Sequence, residues 1–342
     1  MSILHNSRKE MLKKIFSIIR ELHPVSRKAI AEESGVSLMS VCNSVDTLDK
    51  LGLIHESISD SVKAGRPLAL LSPAGGEFLI LDMTKSNFEI LLFSMSGKTV
   101  SKYLYMPRQS DDFFTSVEKF RDKLIAFIEN KVKFPLIGAG IIVPGRYDRV
   151  TDTVIGDRSG NFDMVKLGAM LFDVIPCQYV EVEEDLTMGA LRFMHSRKLD
   201  GSTLYIKCTD PCGAVLISNG KLHRGTNAGL PGLGFDPITA DKEFVNRYFD
   251  NISLFSVADM VARSLAAYMT LVTPDAVVIE HDPLFSDMVF KVKITELLRS
   301  NYLSPFTTIP ELYTLKREGS DASSGLSKII IGKYLDLRLS EI

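Results

Sequence analysis

The sequence predicts a multidomain α/β protein, with a winged helix-turn-helix unit over residues 1–71 and two similar α/β halves with a cleft between them over residues 72–342. Three observations carry that expectation. Helical periodicity switches on and off three times before residue 52 and is followed by a short cationic turn. After Ser72-Pro73-Ala74-Gly75-Gly76, which reads as a hinge, strands alternate with helices. A strand-rich opening occurs at 77–106 and returns from residue 203. A chain of 342 residues also exceeds the roughly 150-residue expectation for one domain.

In residues 7–22, Met11, Leu12, Ile15, Ile18, Ile19 and Leu22 share one helical face opposite Lys and Arg, and His23-Pro24 ends the run. Ser26 caps a short helix containing Ala29 and Ile30, which stops at Gly35, where a left-handed residue permits a sharp turn. Ser37 caps a third helix whose Val41, Val45, Leu48 and Leu51 recur at three- and four-residue spacing and face inward. Residues 54–71 suit a two-stranded wing with Lys63, Gly65, Arg66 and Pro67 at its tip.

The outward face of the third helix offers Ser37, Leu38, Ser40, Asn43 and Ser44, groups able to touch base edges and phosphates in a DNA major groove. No Arg or Lys appears there until Lys50. Lys63, Arg66 and the helix amino-termini, Ser26 among them, are therefore expected to supply much of the phosphate contact, with Arg66 able to enter a narrow minor groove. A structural or protein-contacting role is the alternative. The order of helix, short helix, Gly turn, capped helix and cationic wing within 60 residues favours DNA.

In the second part, strands are expected at 78–83, 88–94 and 101–106, a helix at 112–131, and strands at 137–143 and 178–183 leading into a helix at 186–196. Strands 203–207 and 214–218 are expected to pair around Asn219-Gly220, a strong hairpin signal. A helix at 256–272, a strand at 276–280 and helices at 285–299 and 322–337 follow. Lobe one then comprises about 77–195 plus the C-terminal helix, and lobe two about 196–322.

Composition narrows the function classes. With 45% hydrophobic and 24% charged residues and a net charge of −2, the chain is neither a disordered segment nor a globally basic nucleic-acid coat. The charge is +2 over residues 1–71 and −4 over the rest. Residues 1–20 carry Arg, Lys and Glu where a signal peptide would be apolar, so the four cysteines point to a reducing cytoplasm. Cys208 and Cys212 lack a second Cys or His pair at ligand spacing, so no metal site is expected there. No apolar run approaches the roughly 18–20 residues of a membrane helix.

Several short motifs occur in one order: Gly65-Arg66-Pro67, Val143-Pro144-Gly145 with Asp148 and Thr153-Val154, Glu183-Glu184-Asp185, Asn219-Gly220-Lys221-Leu222-His223-Arg224-Gly225, and Thr273-Pro274-Asp275. Over nearly the whole length this order resembles the ROK family, which combines bacterial repressors, uncharacterised reading frames and sugar kinases. The resemblance implies an actin-like ATPase (ribonuclease H-like) sugar-kinase fold behind the winged helix.

Departures from the family pattern carry the functional expectation. Where the kinases have Asp-Xaa-Gly-Gly-Thr, this chain has Asp82-Met83-Thr84-Lys85-Ser86, placing side chains where nucleotide phosphates would pack. Thr209-Asp210-Pro211-Cys212-Gly213 stands at the second phosphate loop, with an added carboxylate and one N–H fewer. Glu280-His281-Asp282 replaces the Gly-Gly on the adenosine side. By the resemblance Asp185 matches the catalytic base, Glu184 replaces a sugar-binding Asn, Gly232 a sugar-binding Glu, and Phe235 a His serving sugar and zinc. The zinc-binding cysteines are missing from 236–260.

The expectation is a DNA-binding regulator, a repressor of carbohydrate-related genes, with no enzymatic activity, cofactor or metal. Its partners would be a double-stranded operator, a second copy or a higher homo-oligomer, and a sugar or sugar-phosphate effector, without a membrane. An effector pocket would involve Arg158, Asn161, Glu184 and Asp185, although Asp185 could equally cap the helix that follows. A sugar kinase with divergent loops and a module gated by a protein partner are the competing readings.

Overall fold

The structure, a computed structural model, describes residues 2–58, 68–84, 87–144, 146–155, 165–196, 201–208, 213–219, 221–223, 253–281, 285–304, 307–316 and 322–341. The chain opens with α1 (Ser2–Leu22), α2 (Arg27–Ser34) and α3 (Leu38–Lys50). Strands β1 (Ile54–Ile58) and β2 (Ala69–Pro73) follow and pair antiparallel from Ile54↔Pro73 to Ile58↔Ala69. Local chemistry sets the helix boundaries. The Ser26 hydroxyl accepts from the Ala29 amide, Gly35 ends α2 at φ 67°, and Ser37 accepts from the Ser40 amide. Leu12, Ile15, Phe16, Ile19, Ile30, Val41, Val45 and Leu48 fill the interior between the three helices.

The body holds two five-stranded sheets with one strand order. In the first, β3 (Glu77–Asp82), β4 (Phe88–Ser94) and β5 (Thr99–Tyr105) form an antiparallel meander. Helix α4 (Phe113–Lys131) then leads to β6 (Leu136–Val143), parallel to β3, and β10 (Val180–Glu184) pairs parallel with β6. A small sheet of β7 (Arg146–Asp148), β8 (Thr153–Ile155) and β9 (Val165–Lys166), followed by α5 (Leu167–Leu171), lies between β6 and β10. Helix α6 (Asp185–Ser196) leaves the sheet.

In the second, β11 (Ser202–Lys207), β12 (Gly213–Ser218) and β13 (Lys221–His223) repeat the meander. After α7 (Leu254–Leu271), β14 (Ala276–His281) runs parallel to β11, and after α8 (Asp287–Leu297), β15 (Glu311–Lys316) runs parallel to β14. The orders β5-β4-β3-β6-β10 and β13-β12-β11-β14-β15 are equivalent. Each first strand ends where the parallel strands end, the edge at which open α/β sheets carry their ligands.

The final helix, α9 (Ala322–Leu339), returns to the first sheet. Leu326 and Ile330 lie over Gly140 on β6, where any side chain would collide with them. The Tyr179 hydroxyl bonds to the Ile330 carbonyl. Farther along α9, Asp336 pairs with Lys13 of α1 at 2.7 Å, and the Arg338 guanidinium donates to the Leu51 carbonyl at the end of α3. Leu326, Ile330, Leu335 and Leu339 join Phe78, Ile80 and the three-helix interior in one apolar cluster.

Most elements lie where periodicity placed them, with a few differences. Asn219-Gly220 does not join the two strands at 202–207 and 213–218. Those strands pair directly, and Asn219, at φ 49°, begins the turn from β12 into the three-residue β13. Strand β15 and the small sheet were not expected as strands. The segment read as a hinge is bonded at both ends, with the Ala74 amide donating to Leu53 and the Met95 amide to Gly76. A Cβ on Gly75 would stand 3.0 Å from the Phe134 ring.

Candidate functional site

The first candidate site is the outward face of α3. Ser37, Leu38 and Asn43 are exposed there, and Ser40 is half-buried with its hydroxyl 2.9 Å from that of Ser37. Ser44 departs from the sequence expectation. It is 7% exposed and its hydroxyl donates to the Ser40 carbonyl at 2.8 Å, because its position follows Val41 and Val45 onto the interior side. Ser26 is engaged as the cap of α2. Lys63 and Arg66 lie outside the described residues. Sequence reasoning passed over Met39, which is 71% exposed and one helical turn before Asn43; that four-residue spacing was the signal.

Electrostatics on this face are muted. Arg27 at the start of α2 bonds to Glu56 on β1 at 2.8 Å and lies 4.0 Å from Asp46 on α3. The hydrogen bond from Arg27, opposed by partial burial and aided by its charge, holds the Glu56 carboxyl below its ordinary range. Lys28 and Lys50 extend into solvent beside the exposed helix face.

The second candidate site lies where β3, β10 and β11 end. Asp82, 2% exposed, accepts from the Thr84 amide at 3.0 Å and the Thr84 hydroxyl at 2.6 Å, so its carboxylate is turned back onto its own turn. Met83 differs from expectation. It is buried with Leu81, Phe88 and Val143 in the core of the first lobe, so Thr84 closes this corner and Met83 does not. Lys85 and Ser86 lie outside the described residues.

Glu184, 3% exposed, accepts from the Tyr147 amide at 2.9 Å. Asp185 is the first residue of α6, one position earlier than expected, and its carboxylate pairs with the ammonium of Lys207, the last residue of β11. Lys207 is 2% exposed. The matched base therefore faces a cation delivered by the other lobe. The sequence hint was a lone lysine ending an apolar strand, Leu204-Tyr205-Ile206-Lys207.

Beside it, Glu280 accepts from the Tyr205 hydroxyl at 2.5 Å and from Arg192 of α6 at 3.1 Å. Burial first, and the Glu280 charge second, push the Tyr205 hydroxyl well above its ordinary value, so it stays protonated as a donor. His281 is fully buried, 2.7 Å from Asp287 and packed against Phe285 and Phe290. Arg149 bridges Glu181 and Glu183, each at 3.2 Å. Of the four residues expected to form an effector pocket, Glu184 and Asp185 are described, neighbours in sequence that engage different partners, the Tyr147 amide and Lys207. Arg158 and Asn161 lie outside the described residues, as do 209–212, 231–235 and most of 236–260. Among the described residues no group of three His, Cys, Asp or Glu side chains could hold a metal ion.

Set against known structures, the chain is similar over 99% of its length to the whole of a ROK family transcriptional regulator, a homologue of the E. coli MLC protein, with a TM-score of 0.68 at 16% identity. Its fold is the ROK fold. A putative sugar kinase from Cytophaga hutchinsonii matches 75% of the chain at a TM-score of 0.54 and 13% identity, and is itself covered completely. A ROK family protein from Streptococcus pneumoniae in complex with sucrose matches 76% at 0.51 and 14%, over 98% of its own length.

Sequence relatives of this ROK-fold chain are distant. The xylose repressor of Bacillus subtilis is 24% identical over 211 residues, 60% of this chain and 54% of its own. The uncharacterised protein y4fQ of Sinorhizobium fredii is 25% identical over 234 residues, 65% of this chain and 58% of its own. The chain thus spans little more than half the length of the curated relatives it matches. No family model matches it. No helix among the described residues is long and apolar enough to cross a membrane.

Proposed function

We propose that the chain is a DNA-binding transcriptional regulator, a cytoplasmic repressor of carbohydrate-related genes, whose kinase-like body binds an effector without catalysis. It works in two parts, residues 1–71 and 72–342, as a homodimer or higher homo-oligomer on a double-stranded operator. The observation that carries this reading is α9, which packs on the first sheet at one end and on α1 and α3 at the other, so the helix-turn-helix shares a core with the lobes. A movement of the lobes therefore displaces the helix that meets DNA.

The second site supports loss of catalysis. A base must be free to accept a substrate proton, and Asp185 instead pairs with Lys207, while Asp82 is closed by Thr84. An effector hydroxyl competing for Asp185 would release Lys207 and loosen the lobes. Glu184 and Asp185 remain the described residues that would meet it, and Ser37, Leu38, Ser40 and Asn43 those that would meet DNA.

The test is binding of the purified protein to its own upstream DNA over a range of salt concentrations, with and without a panel of sugars and sugar phosphates. Specific, salt-sensitive binding weakened by one member of the panel is expected. Absence of specific binding at every salt concentration would overturn the reading. ATP-dependent phosphorylation of a sugar that disappears in Asp185→Asn would instead overturn the non-enzymatic part.

A further inference from the structure

The face of α3 is unusual in what opens it. Its exposed stripe runs Met39, Asn43, Asp46 and Lys50 at four-, three- and four-residue steps, opposite the buried Val41, Val45 and Leu48. Leu38, 52% exposed, and Met39, 71% exposed, project from the first turn, the part of a recognition helix that meets base edges. Two large apolar side chains are thereby left largely in water. The only apolar group a base pair displays in the major groove is the C5-methyl of thymine.

The polar residues fit the same bases. Asn43, exposed and one turn beyond Met39, carries the amide that pairs bidentately with adenine N6 and N7. Guanine is read by Arg or Lys at such positions, and the first cation on the stripe is Lys50, at the far end of the helix. Asp46, which could accept from cytosine, is drawn toward α2 by Arg27 at 4.0 Å.

We propose that α3 reads a half-site core of A·T pairs, with thymine methyls against Leu38 and Met39 and an adenine against Asn43. This rests on the regulator reading and specifies the DNA it takes. Sequence preference at these positions then comes from apolar contact and one amide. Phosphate contact from other elements, Lys28 on α2 among them, sets affinity without base preference.

The test selects duplexes from a random pool with the full-length protein, then replaces each thymine of the recovered half-site by deoxyuridine, which removes only the methyl group. The expected result is a half-site with consecutive A·T pairs at the α3 positions. Uracil at a contacted position should weaken wild-type binding about fourfold. That loss should vanish in Met39→Ala or Leu38→Ala, and Asn43→Ala should cost about tenfold and relax the choice of adenine. Recovered half-sites with G·C pairs under α3, or full affinity for every uracil duplex, would overturn the proposal while leaving specific DNA binding in place. A pool that yields no sequence preference at all would overturn the regulator reading and this proposal with it.

Discussion

In lobe one the first strand, β3, ends at Asp82, and in lobe two its topological counterpart, β11, ends at Lys207. Both side chains are 2% exposed, and each closes the end of its sheet's first strand. Asp82 is satisfied within its own turn by the Thr84 amide and hydroxyl. Lys207 is satisfied by Asp185, which belongs to the helix leaving lobe one. Lobe one has therefore closed its corner locally, so that its closure is indifferent to where lobe two sits. The lobe-two corner is closed only while the lobes hold their present relation. The two corners thus differ in kind, one closed within its own turn and the other, the lock, by a contact between the two sheets' elements, and only the second would yield to a change in how the lobes meet.

The largest effect should come from breaking the lock. Lys207→Met removes the cation that faces Asp185, and loss of one partner of a mostly buried pair costs about 3 kcal/mol or more. Denaturant unfolding should show that loss, and Lys207→Met combined with Asp185→Leu should recover most of it, because two apolar groups leave no unpaired charge. A loss under about 1 kcal/mol would mean that water screens the pair and that no lock exists.

The fixed corner should give a smaller and purely local effect. Thr84→Val keeps the shape but removes the hydroxyl that donates to Asp82, costing about 1–3 kcal/mol of stability. Because this closure does not span the lobes, effector release of DNA should be unchanged in Thr84→Val and altered in Lys207→Met. Equal effects of the two on effector response would erase the distinction between the corners.

How much of this was legible in the sequence follows from range. Ser26, Gly35 and Ser37 act on amides within four residues, so the ends of α2 and the start of α3 could be read. The first meander and the β11–β12 pair were visible because Phe88–Ser94 and Ser202–Lys207 are rich in apolar residues. Strand β15 was missed because it buries only Leu312 fully along its length. Asn219-Gly220 was given to the wrong pair because β13, with three residues, is too short to show alternation. Asp185 was singled out by the motif around it, but its partner lies 22 residues away on another sheet, a distance no local pattern spans. Ser44 was misplaced because an outward-facing polar set was read without asking which residues share the interior side with Val41 and Val45.

The smallest effect belongs to the exposed pair, Arg27 with Glu56, and it sharpens what burial does to the lock. Glu56 has a folded pKa held below its ordinary 4.5 by the Arg27 hydrogen bond, and Arg27 stays charged throughout. The pair's contribution is therefore fully present above about pH 4.5 and is lost as pH falls through the lower folded value. With Glu56 side-chain exposure at 41%, solvent screening keeps it under about 1 kcal/mol. Wild type should lose its small advantage over Glu56→Gln as pH falls below about 4.5, and the advantage at pH 7 should shrink as salt rises from about 0.05 to 1 M. The advantage of wild type over Lys207→Met at pH 7 should hardly change over the same salt range, because Lys207 is shielded from ions. If both advantages fell together with salt, the Lys207–Asp185 contact would be a surface pair like Arg27 and Glu56, and it would hold lobe two no more firmly.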